Sequence, residues 1–197
     1  MRWSRIVFAV TVAAVTLRTD GFGQAQPALK PAEPRVVSAN RAALSALPFG
    51  DRQEFDDAHR GFVANAPGLR GPERYAFLQG DAPATVNPSL WRQARLDAIN
   101  GLFRITDRVY QLRGLDISNM TIVEGDSGLI VVDTLLTAES AHAALELYYQ
   151  HRPKKPVVAI IYSHSHADHF GGVKGVVDEA DVRSGRVKIH APARATC

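Results

Sequence analysis

An apolar run from Val157 to Tyr162 leads into Ser163-His164-Ser165-His166-Ala167-Asp168-His169 and then Phe170-Gly171-Gly172. Three of the seven histidines fall within six residues there, beside one carboxylate. A short apolar run bounded by turn residues reads as a buried strand. Residues two apart on extended backbone face one side, so His164 and His166 are expected to converge if the chain stays extended just past that strand. Asp168 and His169 come after it has ended, where a turn can aim them at a second point a few ångströms away, and Gly171-Gly172 permit the tight backbone of such a turn. This predicts a two-metal arrangement. Imidazole and carboxylate suit zinc, with iron or manganese also accepted, and two such ions about 3.5–4 Å apart form the usual hydrolytic pair. The competing interpretation, histidines scattered over surface and core, does not account for their clustering at the carboxyl end of a strand, where open α/β sheets place their ligands.

The rest of the composition narrows the field. With 46% hydrophobic and 22% charged residues, a chain of 197 residues can close a core, which excludes disorder throughout. The formal charge is +3, of which residues 1–25 contribute three arginines against one aspartate. Arg152, Lys154 and Lys155 form the one short basic run and read as a solvated loop, so no nucleic-acid partner is expected. Cys197 is the single cysteine, which leaves no internal disulfide to form.

Met1 to Arg5 is a short basic start, followed by twelve mostly apolar residues from Ile6 to Leu17. A membrane-spanning helix needs about twenty, so the pattern predicts a signal peptide, with no stable membrane span, cleaved after Gly23-Gln24-Ala25. An uncleaved anchor or an interior helix is the alternative. Residues 26–100 are expected to be a proline-containing linker (Pro27, Pro31, Pro34) and an N-terminal helical extension. In it Asp51 caps a segment with Phe55, Ala58 and Phe62 at helical spacing, ended near Gly68. Asn87-Pro88-Ser89 opens a second helical segment holding Leu90, Trp91, Ala94, Leu96, Ile99 and Leu102.

Past residue 103 the pattern changes from helix to strand. Phe103 to Leu112, Met120 to Glu124 and Leu129 to Val132 are the expected strands, and Gly125-Asp126-Ser127-Gly128 is a hairpin turn rather than a serine-nucleophile elbow. Thr137 caps a helix through about Tyr149 that buries Ala141, Ala144, Leu145 and Tyr148. Pro153 and Pro156 stop it, and the histidine-bearing strand follows. A crossover of this kind places consecutive strands side by side and parallel, with Asp133 near the histidines. A helix over Val173–Ala180 and a strand over Val187–His190 complete the reading.

This order, with Gly125-Asp126 between strands, Asp133 after the third strand and then His-x-His-x-Asp-His, resembles the metallo-β-lactamase-fold hydrolases. It is most similar to their alkyl sulfatase branch, through residues 55–62, Val86 to Gln93, Gly101-Leu102-Phe103, Val109-Tyr110-Gln111, Ser118 to Thr121 and Tyr162 to Val173. The resemblance implies an α/β (α+β) fold, a partial αββα sandwich preceded by the helical extension. It also implies hydrolysis of linear alkyl sulfate esters at a binuclear Zn2+ site. Carried over by position, His164 and His166 hold one zinc and Asp168 and His169 the other. Asp168 also orients the attacking water or takes its proton, and Asp133 supports the ligands from behind. Full-length members are expected to be homodimeric.

The similarity fades after His190-Ala191-Pro192, so residues 101–197 are expected to be the first half of the domain, without the remaining metal ligands. By itself such a chain is expected to be a poor hydrolase, with Ile122, Ile130, Val132 and Ile160 exposed on one side of an uncovered sheet. Another hydrolase of the same superfamily, or an inactive metal-binding chain, are the alternatives. The signal sequence yields the first test. Expression in a Sec-competent bacterial host should give a mature N-terminus at Gln26, and Met1 retained on soluble cytoplasmic protein would refute it.

Overall fold

The computed structural model describes residues 30–66 and 72–192, so the expected signal sequence, Gly68 and Cys197 lie outside the described residues. The chain enters through α1 (Pro34–Ala46), α2 (Gln53–His59), a 3-10 segment (Pro72–Leu78) and α3 (Pro88–Asp97). The start of α3 is the predicted one. The Asn87 side chain accepts from the backbone N–H groups of Ser89 and Leu90, and Pro88 occupies the first turn, where its missing N–H costs nothing. Asp51, expected to cap α2, lies one residue early: Arg52 holds the cap position without a side-chain cap bond, and Asp51 accepts from Gln53 N at 2.9 Å just ahead of it. That helix does not continue to Phe62 as its spacing suggested. It stops at His59, Gly61 turns the chain at φ 73°, and Phe62 opens β1 (Phe62–Ala64). Phe62 packs edge-on against Phe103 of the neighbouring strand, with ring centroids 5.6 Å apart.

Six further strands follow: β2 (Gly101–Thr106), β3 (Val109–Arg113), β4 (Met120–Glu124), β5 (Leu129–Val132), β6 (Val157–Ile161) and β7 (Lys188–His190). They form one mixed sheet in which spatial order equals chain order. Pairing is antiparallel from β1 to β5 and parallel from β5 to β7. The stretch expected as one strand, Phe103 to Leu112, is a hairpin folded at Asp107-Arg108. Gly125 N donates to Gly128 O at 2.8 Å and closes the predicted β4–β5 hairpin. Between β5 and β6 runs α4 (Ala138–His151), capped by Thr137 Oγ1 accepting from Ser140 N at 3.1 Å. The helix expected over Val173–Ala180 is instead a 3-10 turn at Val173–Gly175 and a separate short helix at Glu179–Arg183. Gly175 lies against the start of α4, where an added Cβ would fall 2.0 Å from Ala138 O.

Strand alternation divides the sheet into two faces. The register sets Ile122 beside Val131 and Val131 beside Ile160, and all three are fully buried with Leu112, Met120 and Leu129. Ala141, Ala144, Leu145, Leu147 and Tyr148 of α4 belong to the same core. Each aliphatic side chain buried this way contributes about 1.5–3 kcal/mol. The expectation that Ile122 and Ile160 would be exposed is therefore wrong, because α4 covers their face. Ile130 and Val132 alternate onto the other face and are only half-buried, beside Ile161 at 39% exposure.

One charged group shares the α4 face. Glu124 is buried at the end of β4 and accepts from Tyr148 Oη at 2.6 Å, Arg152 Nε at 2.8 Å and Arg152 Nη2 at 3.0 Å. Arg152 also lies over the Tyr110 ring, 4.9 Å from its centroid, and Lys155 Nζ donates to Gly125 O at 2.9 Å. The basic run read as a solvated loop is thus built into the end of the sheet, apart from the exposed Lys154.

The Arg152 hydrogen bond holds the Glu124 carboxyl below the usual carboxylate range, while burial and the bond to Glu124 raise the Tyr148 hydroxyl above its own. A carboxylate depressed on folding stabilises the fold above its unfolded pKa, about 4.3, and that stability is lost as pH falls through the folded value. Arg152→Ala should therefore cost about 1–3 kcal/mol at pH 7. Urea titrations should show the gap between the native protein and Arg152→Ala narrowing below about pH 4; a gap independent of pH would assign the loss to packing alone.

Candidate metal centre

Because β5 and β6 run parallel and adjacent, the chain leaves both at the same edge of the sheet. Past β5, Asp133 (φ 57°) and Leu135 (φ 63°) adopt left-handed backbone. Aspartate tolerates that conformation, but leucine there costs on the order of 1–3 kcal/mol and persists only where the surroundings impose it. They do so through a set of hydrogen bonds. Asp133 N donates to Ile161 O at 2.9 Å, Thr134 N to His169 O at 2.8 Å and Gly172 N to Leu135 O at 2.9 Å.

The loop before β4 adds two more supports. Asp116 accepts from Ile117 N with one carboxylate oxygen, at 2.5 Å, and from Leu136 N with the other, at 3.1 Å. Ser118 Oγ donates to the carbonyl of Asp168. Gly171 and Gly172 do not supply the unusual backbone expected of them, since their φ values are −60° and −82°. They supply room: a Cβ on Gly172 would lie 2.0 Å from Thr134 O, and one on Gly171 2.3 Å from Leu136 O.

The extended backbone past β6 that the spacing argument assumed is absent. The chain bends over residues 163–165 and enters the one-turn helix α5 (Ala167–Phe170). The bend still brings the rings together: His164 Nε2 is 3.1 Å from His166 Nδ1, and the His164 and His169 ring centroids are 3.9 Å apart. His169 Nδ1 lies 2.7 Å from Asp133 Oδ2, and its Nε2 lies 3.2 Å from Asp168 Oδ2. Asp133 is buried and accepts further from Ser163 N at 2.8 Å and Ser163 Oγ at 2.7 Å. The rings of His164 and His166 are exposed, whereas His169 and Asp168 are partly covered.

A carboxylate only accepts hydrogen bonds, so His169 Nδ1 carries the hydrogen toward Asp133, and in the neutral ring Nε2 then turns its lone pair toward Asp168. Two bare acceptors facing each other repel unless a cation or proton lies between them. Donors bound to one tetrahedral zinc at about 2.0–2.1 Å sit roughly 3.3–3.4 Å apart. The 3.1 Å His164–His166 and 3.2 Å His169–Asp168 separations fit that spacing closely. The donor set is therefore two pairs of the right chemistry. Among the described residues no group of three or more His, Cys, Asp or Glu side chains is placed to hold a metal ion together. The cluster stands open to solvent, and a cavity of about 480 Å3 lined by Arg52, Phe55, His59, Arg95 and Asn100 lies elsewhere.

The sequence profile of the metallo-beta-lactamase superfamily matches residues 113–197, which include Asp133 and the whole histidine cluster. This stretch is a metallo-beta-lactamase domain. The chain is 54% identical over 181 residues to the alkyl/aryl-sulfatase BDS1 of Saccharomyces cerevisiae, covering 86% of this chain and 28% of that protein. It is 53% identical over 191 residues to a linear primary-alkylsulfatase of Pseudomonas sp, covering 91% and 28%. The solved inverting sec-alkylsulfatase Pisa1 from Pseudomonas sp. superposes with a TM-score of 0.78 at 54% identity, over 84% of this chain and 28% of that one. The chain thus spans under a third of the length of these relatives.

Sequence reasoning named His164, His166, Asp168, His169 and Asp133 but passed over Ser163, Asp116 and Ser118, which hold them. Their signal was short polar residues beside a strand end, a pattern too common to single out. The close packing at Gly172 is directly testable. Gly172→Ala should destabilise the fold by on the order of 3 kcal/mol or more, because backbone cannot yield to the new methyl, whereas Gly50→Ala should stay within about 0.5 kcal/mol. At Gly50 nothing lies within 4 Å of the added Cβ. Chemical denaturation of both variants decides it, and equal stabilities would refute the packing argument.

Proposed function

We propose that this chain is the metal-binding portion of an exported alkylsulfatase, acting on linear alkyl sulfate esters at a pair of zinc ions. The observation that carries the reading is the pair of donor couples, His164 Nε2 with His166 Nδ1 and His169 Nε2 with Asp168 Oδ2. The alkylsulfatases it resembles at 50–54% identity support the substrate class. His164 and His166 would hold one ion, His169 and Asp168 the other. What a bound zinc pair supplies is Lewis acidity: activation of water at neutral pH and stabilisation of charge on the sulfate oxygens.

The chain's own residues do the rest. Asp133 fixes the His169 ring through Nδ1, so that its Nε2 is held toward the cluster. Ser118 and Thr134 grip the carbonyls of Asp168 and His169, which fixes the one-turn helix carrying both. Asp168 is placed to orient the attacking water and take its proton. In the balanced reaction water adds to the ester, the sulfate-ester bond to the alkyl group is cleaved, and the alcohol leaves with hydrogensulfate. Export to the periplasm or beyond suits a substrate of the detergent type met outside the cell, and full-length relatives are proposed to act as homodimers. Among the described residues no helix is long and apolar enough to cross a membrane.

The test combines zinc titration by calorimetry with release of inorganic sulfate from dodecyl sulfate. His166→Ala should weaken zinc binding at its position by at least the roughly 10–100-fold that follows loss of a mere supporting contact. Placed in a chain of the relatives' full length, the same substitution should abolish sulfate release. Unchanged zinc binding, or sulfate release that survives the substitution, would overturn the proposal.

A further inference from the structure

The Ser163 hydroxyl touches three polar groups with a single proton to give. Its Oγ lies 2.7 Å from Asp133 Oδ2, 2.9 Å from His164 Nδ1 and 3.4 Å from His169 Nδ1. The carboxylate of Asp133 can only accept, so the hydroxyl proton goes there. Only lone pairs are then left for the imidazole, and His164 Nδ1 must carry the hydrogen of that contact.

We propose that Ser163 is a positioning residue that relays the Asp133 carboxylate to His164, fixing this ring in the Nδ1–H tautomer with Nε2 bare toward His166. Neutral imidazole has one donor nitrogen and one acceptor, so setting either sets both. His169 receives the same instruction directly, at 2.7 Å from Asp133 Oδ2. One buried carboxylate therefore orients two rings, the nearer by contact and the farther through a hydroxyl. The relay is itself held in place: the Ser163 amide donates to Asp133 Oδ1 at 2.8 Å, so the residue grips both carboxylate oxygens. A serine serving only as a bend residue would leave the His164 tautomer unset. The inference deepens the proposed metal site, since the bare His164 Nε2 is one of its donors, but the tautomer is a property of the metal-free chain.

The experiment uses the full chain labelled with 15N at histidine, metal-free, at a fixed pH near 8 where imidazoles are neutral. Long-range 1H–15N correlation reads the tautomer, with His164 signals assigned by their loss in His164→Ala. The native chain should show His164 as Nδ1–H, Ser163→Ala should lose that preference and Ser163→Thr, which keeps the hydroxyl, should restore it. Zinc affinity should fall about 10–100-fold in Ser163→Ala and recover in Ser163→Thr. Far-UV circular dichroism checks that the variants fold. An Nε2–H tautomer in the native chain overturns the proposal without recourse to any variant, and so does an Nδ1–H tautomer that persists in folded Ser163→Ala. Failure of the native chain to bind zinc would instead sink the functional reading and leave the tautomer result standing.

Discussion

The buried carboxylate of Asp133 is the constraint on which this end of the molecule depends. An ionised group taken out of water is tolerated only where donors replace the lost solvation. Its donors, Ser163 N, Ser163 Oγ and His169 Nδ1, all lie on the segment that follows β6. They reach it only when β6 is docked parallel to β5 and the chain bends at once after Ile161. The contact that makes burial of Asp133 acceptable is thus the one that assembles the histidine cluster. The left-handed backbone at Asp133 and Leu135 is the local cost of turning that carboxylate back over the strand ends, and the hydrogen bonds to Ile161, His169 and Asp116 offset it.

A second buried carboxylate lies at the other end of the same strands, and the contrast between the two explains their different work. Glu124 pairs across from Leu129 at the beginning of β5 and is satisfied by a permanent cation, Arg152, together with Tyr148. That arrangement locks the last turns of α4 to the sheet and depresses the carboxyl, which suits a structural tie. Asp133 is served by a hydroxyl, an amide and an imidazole rather than by a permanent cation, so the cluster beyond it can keep nitrogens whose lone pairs face outward. With a guanidinium in that place, a cation would already have occupied the region where the donors converge.

Much of this was legible in the sequence, for identifiable reasons. Thr137, Asn87 and Gly125 to Gly128 announce caps and a turn by local chemistry, and local chemistry is what the structure uses there. The β5–α4–β6 crossover followed from element order, and with it the placement of Asp133 beside the histidines. Errors arose where long-range packing decided the outcome. Helical spacing carried α2 through Phe62, but pairing of Phe62 with Phe103 claimed that residue for the sheet. Gly171 and Gly172 were expected to supply the tight backbone of a turn, although what demands glycine there is the approach of two carbonyls from the segment after β5. Arg152 looked solvated because nothing in its neighbourhood along the chain reveals a carboxylate 28 residues earlier.

The route by which the rings converge carries a further consequence. On an extended strand, His164 and His166 would have shared a side by periodicity alone, with ring rotation free. In the bend, orientation comes from hydrogen bonds instead, since backbone periodicity no longer dictates where a side chain points. The rings of His164 and His166 are exposed, and His164 is reached from Asp133 only through Ser163, whereas His169 is held by Asp133 directly and partly covered. Preorganisation in this cluster is therefore graded, firmest at the Asp168–His169 pair seated on α5 and loosest at His166. At the Asp168–His169 pair the donors that would hold an ion are already oriented, whereas at the His164–His166 pair the entropy of fixing a ring would remain to be lost.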